Sequence, residues 1–162
     1  MPEQTRVVSP PKGFSRFFYR LPIHIYRIGL GRLMGSRFLL LEHTGRKSGK
    51  LRRNVLEVVR RDDATRTFYI VSAWGEKSDW LRNVRANPAV KIIVAGTRYS
   101  AKAIPLSREV SERELLDYAQ RYPRAAKELS RLLGYRLDGT PEDFAALAEQ
   151  MTIVALRYDD ES

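Results

Sequence analysis

The sequence has no cysteine, and this absence excludes a disulfide framework, a thiol nucleophile and any thiolate-bound metal. No apolar run approaches the roughly 18 residues that a membrane-spanning helix requires. Arginines interrupt the apolar stretches near the N-terminus, which is unlike the layout of a secretory signal. From these absences we expect a cytoplasmic protein, and 162 residues are enough for one domain with a buried core.

Several catalytic motifs are also missing. The only histidines are His24 and His43, and neither has the Glu/His spacing of a zinc site. No Gly-x-Ser-x-Gly sequence carries a catalytic serine, and no glycine-rich loop has the spacing typical of dinucleotide or nucleoside triphosphate binding. We therefore expect no metal, and we predict that His43 packs or makes hydrogen bonds at the end of a strand.

Acidic residues are scarce in the first part of the chain. Residues 1–61 contain 14 Lys/Arg but only three acids, Glu3, Glu42 and Glu57, whereas the remainder contains 15 Lys/Arg and 16 acids. The whole net charge of +10 therefore arises before residue 62. This asymmetry predicts an anionic partner for one face of the protein, and nucleic acid, anionic lipid or a small molecule with phosphate or carboxylate groups all fit.

Residues 1–35 differ in pattern from the rest. Residues 1–12 are polar and contain three prolines, so we expect a disordered lead-in. From residue 13 to about residue 34, apolar side chains recur at three- and four-residue steps and arginines recur on another face, which predicts a basic amphipathic helix with a kink at Pro22. Its apolar stripe fits packing on the domain, and residues 13–35 also fit contact with an anionic membrane surface.

From residue 36 onward, short strands bounded by turn residues replace the helical pattern. The predicted strands span residues 37–43, 51–61, 66–73, 90–95, 97–106 and 151–158. Helices are predicted at residues 78–86 and within 107–150, where Pro123 and Thr140 begin new helices. Six short strands with helices at the edges predict a small antiparallel β-barrel, in an α+β domain of residues 36–162.

The stretch from Thr44 to Asn54 lies between two predicted strands and contains five cationic residues and no acid. Its cations and backbone N–H groups suit an oxyanion such as phosphate or carboxylate, although a solvated hairpin turn has the same pattern. In an extended strand, Arg52, Asn54, Leu56 and Val58 share one face. This gradient from cations to aliphatic side chains fits a ligand with an anionic tail and a flat apolar head.

A second stretch, from Val71 to Asn83, combines a strand end, a turn at Gly75 and a helix start. Small side chains at the strand end would let a planar ring approach the backbone, and N–H groups at a helix N-terminus can bind ring carbonyls or phosphate. Trp80 and Asn83 lie one helical turn apart, although Trp80 also fits a role as a core anchor. Candidates for supplying a proton or shaping a pocket are Tyr118, Tyr122 and Tyr135, each of which also fits a structural role.

These motifs together resemble the deazaflavin-dependent nitroreductase family. The resemblance rests on the sequence from Thr44 to Gly49 with Arg52 and Asn54, on Ser72-Ala73-Trp74-Gly75, on Trp80 and Asn83, and on Ala86-Asn87-Pro88. It implies a six-stranded split β-barrel of the type that binds flavins. It also implies an enzyme that uses coenzyme F420 and transfers hydride from the reduced cofactor to a quinone-like, nitro or other hydrophobic acceptor. Some related split barrels use FMN, which is the alternative cofactor.

The resemblance also implies which residues bind the cofactor. Residues of the first stretch would hold its phosphate and oligoglutamate tail, and residues of the second would border the deazaflavin ring or its linker. The implied cofactor-binding residues are Arg46, Lys47, Ser48, Gly49, Arg52, Arg53, Asn54, Val55, Leu56, Val71, Ser72, Ala73, Trp74, Asp79, Trp80 and Asn83. Glu57 occupies a position that is aromatic in the members that reduce nitroimidazoles.

Two other functions fit the same residues. One is a non-catalytic split-barrel protein that binds a cofactor or lipid. The other, less favoured, is a basic nucleic-acid-binding domain, because such a domain typically places aromatic side chains beside its cations on an open sheet face, whereas the face predicted here is aliphatic. Homodimers are common among split barrels of this type, so a homodimer is a further expectation.

Overall fold

The computed structural model describes residues 3–4, 37–72, 74–124, 127, 135–136 and 140–161. Most of the predicted lead-in and amphipathic helix of residues 1–35 lies outside the described residues, and so does Ala73. The elements are β1 (Glu3–Gln4), β2 (Phe38–Thr44), β3 (Leu51–Asp62), β4 (Thr67–Ser72), a short 3-10 helix (Gly75–Lys77), α1 (Asp79–Ala86), β5 (Ala89–Val94), β6 (Thr97–Pro105), α2 (Arg108–Arg121), β7 (Tyr135–Arg136), α3 (Pro141–Ala148) and β8 (Thr152–Glu161).

Six strands form a closed antiparallel barrel in the order β2, β3, β4, β8, β6 and β5, and β5 pairs back to β2. The fold prediction is confirmed. Five of the six predicted strands have bounds within one residue of those observed, and the last continues beyond residue 158 to Glu161. Among the described residues, no helix is both long and apolar enough to cross a lipid bilayer.

The helical prediction for residues 107–150 is correct only in part. The hydroxyl of Ser107 accepts a hydrogen bond from Val110 N at the start of α2, and Thr140 forms a reciprocal capping box with Asp143 at the start of α3. Tyr135–Arg136, however, form β7, which pairs with residues 3–4. Such a long-range pairing leaves no local periodicity, so a sequence pattern could not reveal it.

Two apolar clusters, one inside the barrel and one outside, hold these elements together. Alternate side chains of the strands, among them Leu39, Leu41 and Phe68, fill the interior, and Trp80 enters it from α1. On the outer face of β3, β4 and β8, α2 and α3 cover the second cluster, which includes Leu115 and Tyr118. Helices therefore lie along one side of the barrel and at one end of it.

Glu42 faces away from the barrel interior and is buried, with 4% exposure, although it carries a charge. Its carboxylate accepts hydrogen bonds from Arg53 Nε at 3.0 Å and from Arg98 Nη1 at 3.0 Å. A buried carboxylate is tolerated when cations pair with it in good geometry. Glu42, Arg53 and Arg98 thus link β2 to β3 and β6. The charge of Arg53 is already matched by Glu42 on the outer face of the barrel.

The turn between β4 and α1 depends on Gly75, whose φ of +52° lies in the left-handed region. A Cβ atom at this position would lie 2.1 Å from the carbonyl oxygen of Gln150, just after α3. Backbone atoms of two distant segments therefore touch here, and only glycine leaves the necessary space.

We expect Gly75→Ala to lower the free energy of unfolding by about 2–4 kcal/mol, because the clash and the left-handed backbone strain add. Gly49→Ala is the matched control. Gly49 also has a positive φ of +68°, but no atom lies within 4 Å of the added carbon. The control should therefore cost only about 1 kcal/mol. Urea unfolding measures both values, and equal losses would contradict the packing role of Gly75.

Candidate functional site

The turn between β2 and β3, residues 45–50, is closed by its own backbone. Gly45 N donates to the carbonyl oxygen of Lys50 at 2.8 Å, and Gly49 N donates to that of Gly45 at 2.8 Å. Lys50 N donates to Ser48 Oγ at 3.2 Å. A Cβ atom on Gly45 would lie 2.7 Å from Ser48 Oγ and 3.5 Å from Arg52 Nε. The missing side chain thus leaves a small cradle beside a hydroxyl and a guanidinium.

Arg46 fastens this β2–β3 turn to α1. Its backbone N donates to Asn83 Oδ1 at 3.1 Å, and its Nη1 donates to the same oxygen at 2.9 Å. Its Nη2 forms an ion pair with Asp79 Oδ1 at 3.1 Å. Three predicted site residues from two distant stretches are therefore in contact. The charge of Arg46 is matched within the protein, so its clearest role here is to fix the turn.

His43 continues the same set of contacts into the barrel wall. Asn83 Nδ2 and His43 Nδ1 are 3.3 Å apart, and His43 Nε2 lies 2.8 Å from Asn54 Oδ1. The imidazole is almost fully buried, at 3% exposure. Burial lowers the pKa of His43 and the charge of Arg52 lowers it further, while the bond to Asn54 opposes them. The prediction that His43 makes hydrogen bonds at the strand end is confirmed, but no sequence signal indicated that it joins two predicted site residues.

Three cations in the β2–β3 turn or directly after it form a cluster without acidic partners. Within the described part of the chain, Lys47, Lys50 and Arg52 have no carboxylate within ion-pair distance. Ion pairs engage many of the other arginines, namely Arg37, Arg46, Arg53, Arg60, Arg61, Arg85, Arg98, Arg108 and Arg121. An uncompensated cluster of this kind, beside the Gly45 cradle, suits phosphate and carboxylate groups.

The predicted site residues of β3 lie on two opposite faces of the strand. Arg52 and Asn54 lie opposite His43 and Leu41 in register, on the face that turns inward. Leu56, the next residue on this face, packs against the interior cluster, so the aliphatic wall predicted from the sequence belongs largely to the core. Arg53 and Val55 lie on the opposite face of the strand. A direct contact of Arg53, Val55 or Leu56 with a ligand stays a prediction.

The second predicted stretch is mostly buried. Ser72 is fully buried and donates to the carbonyl oxygen of Gly75 at 3.0 Å, while its Oγ lies 2.9 Å from Ser78 Oγ. The hydroxyl of Ser78 is thus turned towards Ser72, and it makes no hydrogen bond that caps α1. Val71 and Trp74 belong to the outer apolar cluster, and Trp80 to the interior one. Contacts of these residues with a ligand stay predictions, whereas the role of Trp80 as a core anchor is observed.

A cavity of about 880 Å³ lies between β3 and the C-terminal end of α2. We refer to it as the β3–α2 cavity; residues that line it include Glu57, Val59, Arg60, Tyr118, Tyr122 and Arg124. Tyr118 Oη donates to Glu57 Oε1 at 2.8 Å, and the rings of Tyr118 and Tyr122 are 5.5 Å apart. Burial, together with the bond to Glu57, raises the pKa of Tyr118, so this hydroxyl stays protonated. Tyr135, the third tyrosine candidate, pairs through its backbone with Gln4.

Comparison with known proteins identifies the family. The model for the family described as F420H(2)-dependent quinone reductase matches residues 19–132, which is more than half of the chain. None of the curated proteins matches this chain significantly.

Solved structures with the same fold have low sequence identity. The protein Atu2129 of unknown function from Agrobacterium tumefaciens is 17% identical, with a TM-score of 0.54 over 95% of this chain and 60% of that one. A domain-swapped dimer is 21% identical, with a TM-score of 0.50 over 83% and 98% of the two chains. An F420-H2 dependent reductase, FDR-A, is 24% identical, with a TM-score of 0.48 over 74% and 93%. At these identities the first two likenesses concern the fold alone, and the third supports no argument of its own.

The residues of the β2–β3 turn fit F420. The phosphate and oligoglutamate tail of this cofactor are anionic, and the turn offers three uncompensated cations and the cradle at Gly45. No group of three or more His, Asp or Glu residues that could hold a metal occurs among the described residues. The family match gives the FMN alternative no support. The chain belongs to the F420H2-dependent quinone reductase family, and it is therefore an oxidoreductase whose cofactor is F420.

Proposed function

We propose that the protein transfers a hydride from F420H2 to a quinone-like, nitro or other hydrophobic acceptor bound in the β3–α2 cavity. The observation that carries this proposal is the arrangement along β3, which begins beside the uncompensated cations and lines the cavity with residues 57–61. At about 3.3 Å per residue, the six steps from Arg52 to Val58 span about 20 Å. Because Arg52 lies on the inward face of β3 and the cavity lies on its outer face, an elongated cofactor with its tail at the β2–β3 turn would pass around the rim to reach the cavity.

Lys47, Lys50 and Arg52 would hold the phosphate and oligoglutamate tail through charge-assisted hydrogen bonds. Arg46 would act by fixing the turn against α1, because its own charge is matched by Asp79. Asn54 lies on the same face of β3 as Arg52, and its amide nitrogen has no protein partner within the described residues. It would therefore donate a hydrogen bond to the cofactor.

Bound F420H2 supplies the hydride. A quinone that becomes a hydroquinone takes up one hydride and one proton, and negative charge grows on its carbonyl oxygen during the transfer. A hydrogen-bond donor beside that oxygen stabilises this charge. We assign the donor to Tyr122, whose side chain is 51% exposed and whose hydroxyl has no protein partner in the described part of the chain. Tyr118 is less suited, because its hydroxyl is bonded to Glu57.

Arg52→Ala should weaken the binding of F420 by about 10- to 100-fold, because a hydrogen bond to a charged group contributes about 1.5–3 kcal/mol. Quenching of F420 fluorescence, titrated with protein at fixed salt, measures the dissociation constant. Arg113→Ala is the control, since Arg113 is an exposed arginine of α2 without an ion pair among the described residues. It should leave the affinity unchanged. Equal affinity for F420 in the wild type and the Arg52 variant would refute the tail site.

Tyr122→Phe should lower kcat/KM for a water-soluble benzoquinone by about three- to ten-fold, because one neutral hydrogen bond to the acceptor is lost. The affinity for F420 should not change. The matched control is Tyr99→Phe, since Tyr99 contacts Tyr158 at another part of the barrel. If the two substitutions reduce kcat/KM equally, the acceptor does not bind beside Tyr122.

We also propose that the protein forms a homodimer. The support is the fold relative that is a domain-swapped dimer. Sedimentation equilibrium at micromolar protein should give twice the mass of one chain, and the mass of a single chain would contradict the proposal.

Three further expectations complete the proposal. They are a boundary at residue 35 between the N-terminal segment and the barrel domain, a cytoplasmic location, and contact of residues 13–35 with an anionic membrane surface. The excess of positive charge before residue 62 supports the membrane contact. Residues 13–35 lie outside the described part of the chain, so the contact stays a prediction from sequence.

A further inference from the structure

His43 lies where three elements meet. It is the penultimate residue of β2, it pairs with Arg52 of β3, and its ring contacts Asn83 of α1 and Asn54 of β3. Both ring nitrogens are engaged, each with a different side-chain amide. Buried ring nitrogens are generally hydrogen-bonded, and here the two partners belong to two different elements, so the ring links β3 to α1.

The direction of these hydrogen bonds is set from one end. Arg46 can only donate, and it donates twice to Asn83 Oδ1, so the amide nitrogen of Asn83 must point the other way. That nitrogen faces His43 Nδ1, which must therefore accept. The ring proton then resides on Nε2, which donates to Asn54 Oδ1. Because Oδ1 of Asn54 is used in this way, its NH₂ group is the part left for a ligand.

We propose that His43 is a positioning residue for F420, which orients the amide of Asn54 so that its NH₂ group faces the cofactor tail beside Arg52. The proposal rests on the tail site proposed above. Without the acceptor at Nδ1 and the donor at Nε2, the amide of Asn54 could rotate and present its oxygen to an anionic group. The affinity for the tail should then fall while the affinity for the ring should not.

Charges around the imidazole add a pH dependence. Arg52 from β3 is the charged group that acts on it directly, and Arg46 with Asp79 lies one residue further, beyond Asn83. No carboxylate bonds to the ring among the described residues. A protonated ring would carry hydrogen on both nitrogens, so Nδ1 would meet the amide donor of Asn83. Acidification should therefore break the hydrogen bond between Asn83 and His43, which lies at the centre of this set.

The test compares two variants with two ligands. His43→Leu removes both hydrogen bonds, whereas His43→Gln keeps one acceptor and one donor at similar spacing and stays neutral at every pH. The ligands are F420 and the deazaflavin riboside that lacks the phosphate and glutamate tail. Fluorescence titration at about pH 7.5, roughly one pH unit above the ordinary histidine pKa, gives the four dissociation constants. We expect His43→Leu to weaken F420 binding about ten-fold and to leave binding of the riboside within about two-fold, and His43→Gln to restore most of the loss.

Acidification separates the wild type from the Gln variant. The dissociation constant of wild-type protein for F420 should rise as the pH falls towards the pKa of His43, which burial of the ring lowers from its ordinary value. His43→Gln should lack this rise. The ratio of the two constants at each pH cancels any titration of the ligand itself, so a ratio that is independent of pH would overturn the proposal.

Asn54→Ala keeps the inference testable if the Leu variant does not fold. It should reproduce the tail-specific loss, and the double variant with His43→Gln should lose no more than Asn54→Ala alone, because both residues act through one contact. Equal weakening of F420 and riboside by His43→Leu would show a merely structural role and overturn the inference. If Arg52→Ala weakens F420 binding and His43→Leu does not, the inference about His43 is overturned and the tail site stands. If Arg52→Ala does not weaken F420 binding, the tail site itself is refuted.

Discussion

Closure of the barrel is the constraint on which the other features depend. Once six strands are joined edge to edge, alternate side chains must point inward and fill the interior, and no strand edge remains for a ligand to pair with. Leu39, Phe68 and Ile92 are fully buried there, and Trp80 completes the filling from α1. Binding chemistry is therefore left to the rim, where the β2–β3 turn projects, and to the outer face of the barrel.

At the rim, the net charge of the sequence is a poor guide to where an anion binds. Arginines are numerous in the N-terminal part of the chain, but many of them are paired with acids. The single carboxylate of Glu42 forms ion pairs with both Arg53 and Arg98, and Asp79 forms one with Arg46. Pairing of this kind leaves little field for a ligand, because each cation is already compensated at close range. Lys47, Lys50 and Arg52 lack such partners among the described residues, and they are clustered at one turn, between β2 and β3. The electrostatic feature that fits F420 is thus a local absence of acids rather than the total of +10.

The sequence allowed the strands, the barrel and the turn to be predicted because each leaves a local pattern: alternation in β3, glycines at the turn, and a capping box at Thr140. It did not allow the partners of the side chains to be predicted. In the motif, Arg46 looks like a side chain that is free to bind an anion. In the structure its guanidinium donates to Asn83, which is 37 residues away in the sequence. His43 follows the apolar run Leu39–Leu41 in the sequence, and its two amide partners become visible only where β2, β3 and α1 meet. Such contacts depend on tertiary packing, which no local periodicity encodes.

A β-bulge explains how one strand can serve both ends of the proposed site. The pairing of β3 with β4 shifts between Val58 and Arg60. Without a shift, Val59 and Arg60 would point to opposite faces. Instead Val59 enters the outer apolar cluster, while Arg60 lies over the ring of Tyr69 and is bonded to Glu114 of α2. Bulges re-aim side chains in this manner beside functional sites.

The inward face of β3 contributes Arg52 and Asn54 at the rim, and the outer face contributes Glu57 and Arg60 to the cavity. Because one hydrogen-bonded strand carries both sets, the spacing between cofactor tail and acceptor would be fixed by covalent geometry and would need no rearrangement of the barrel.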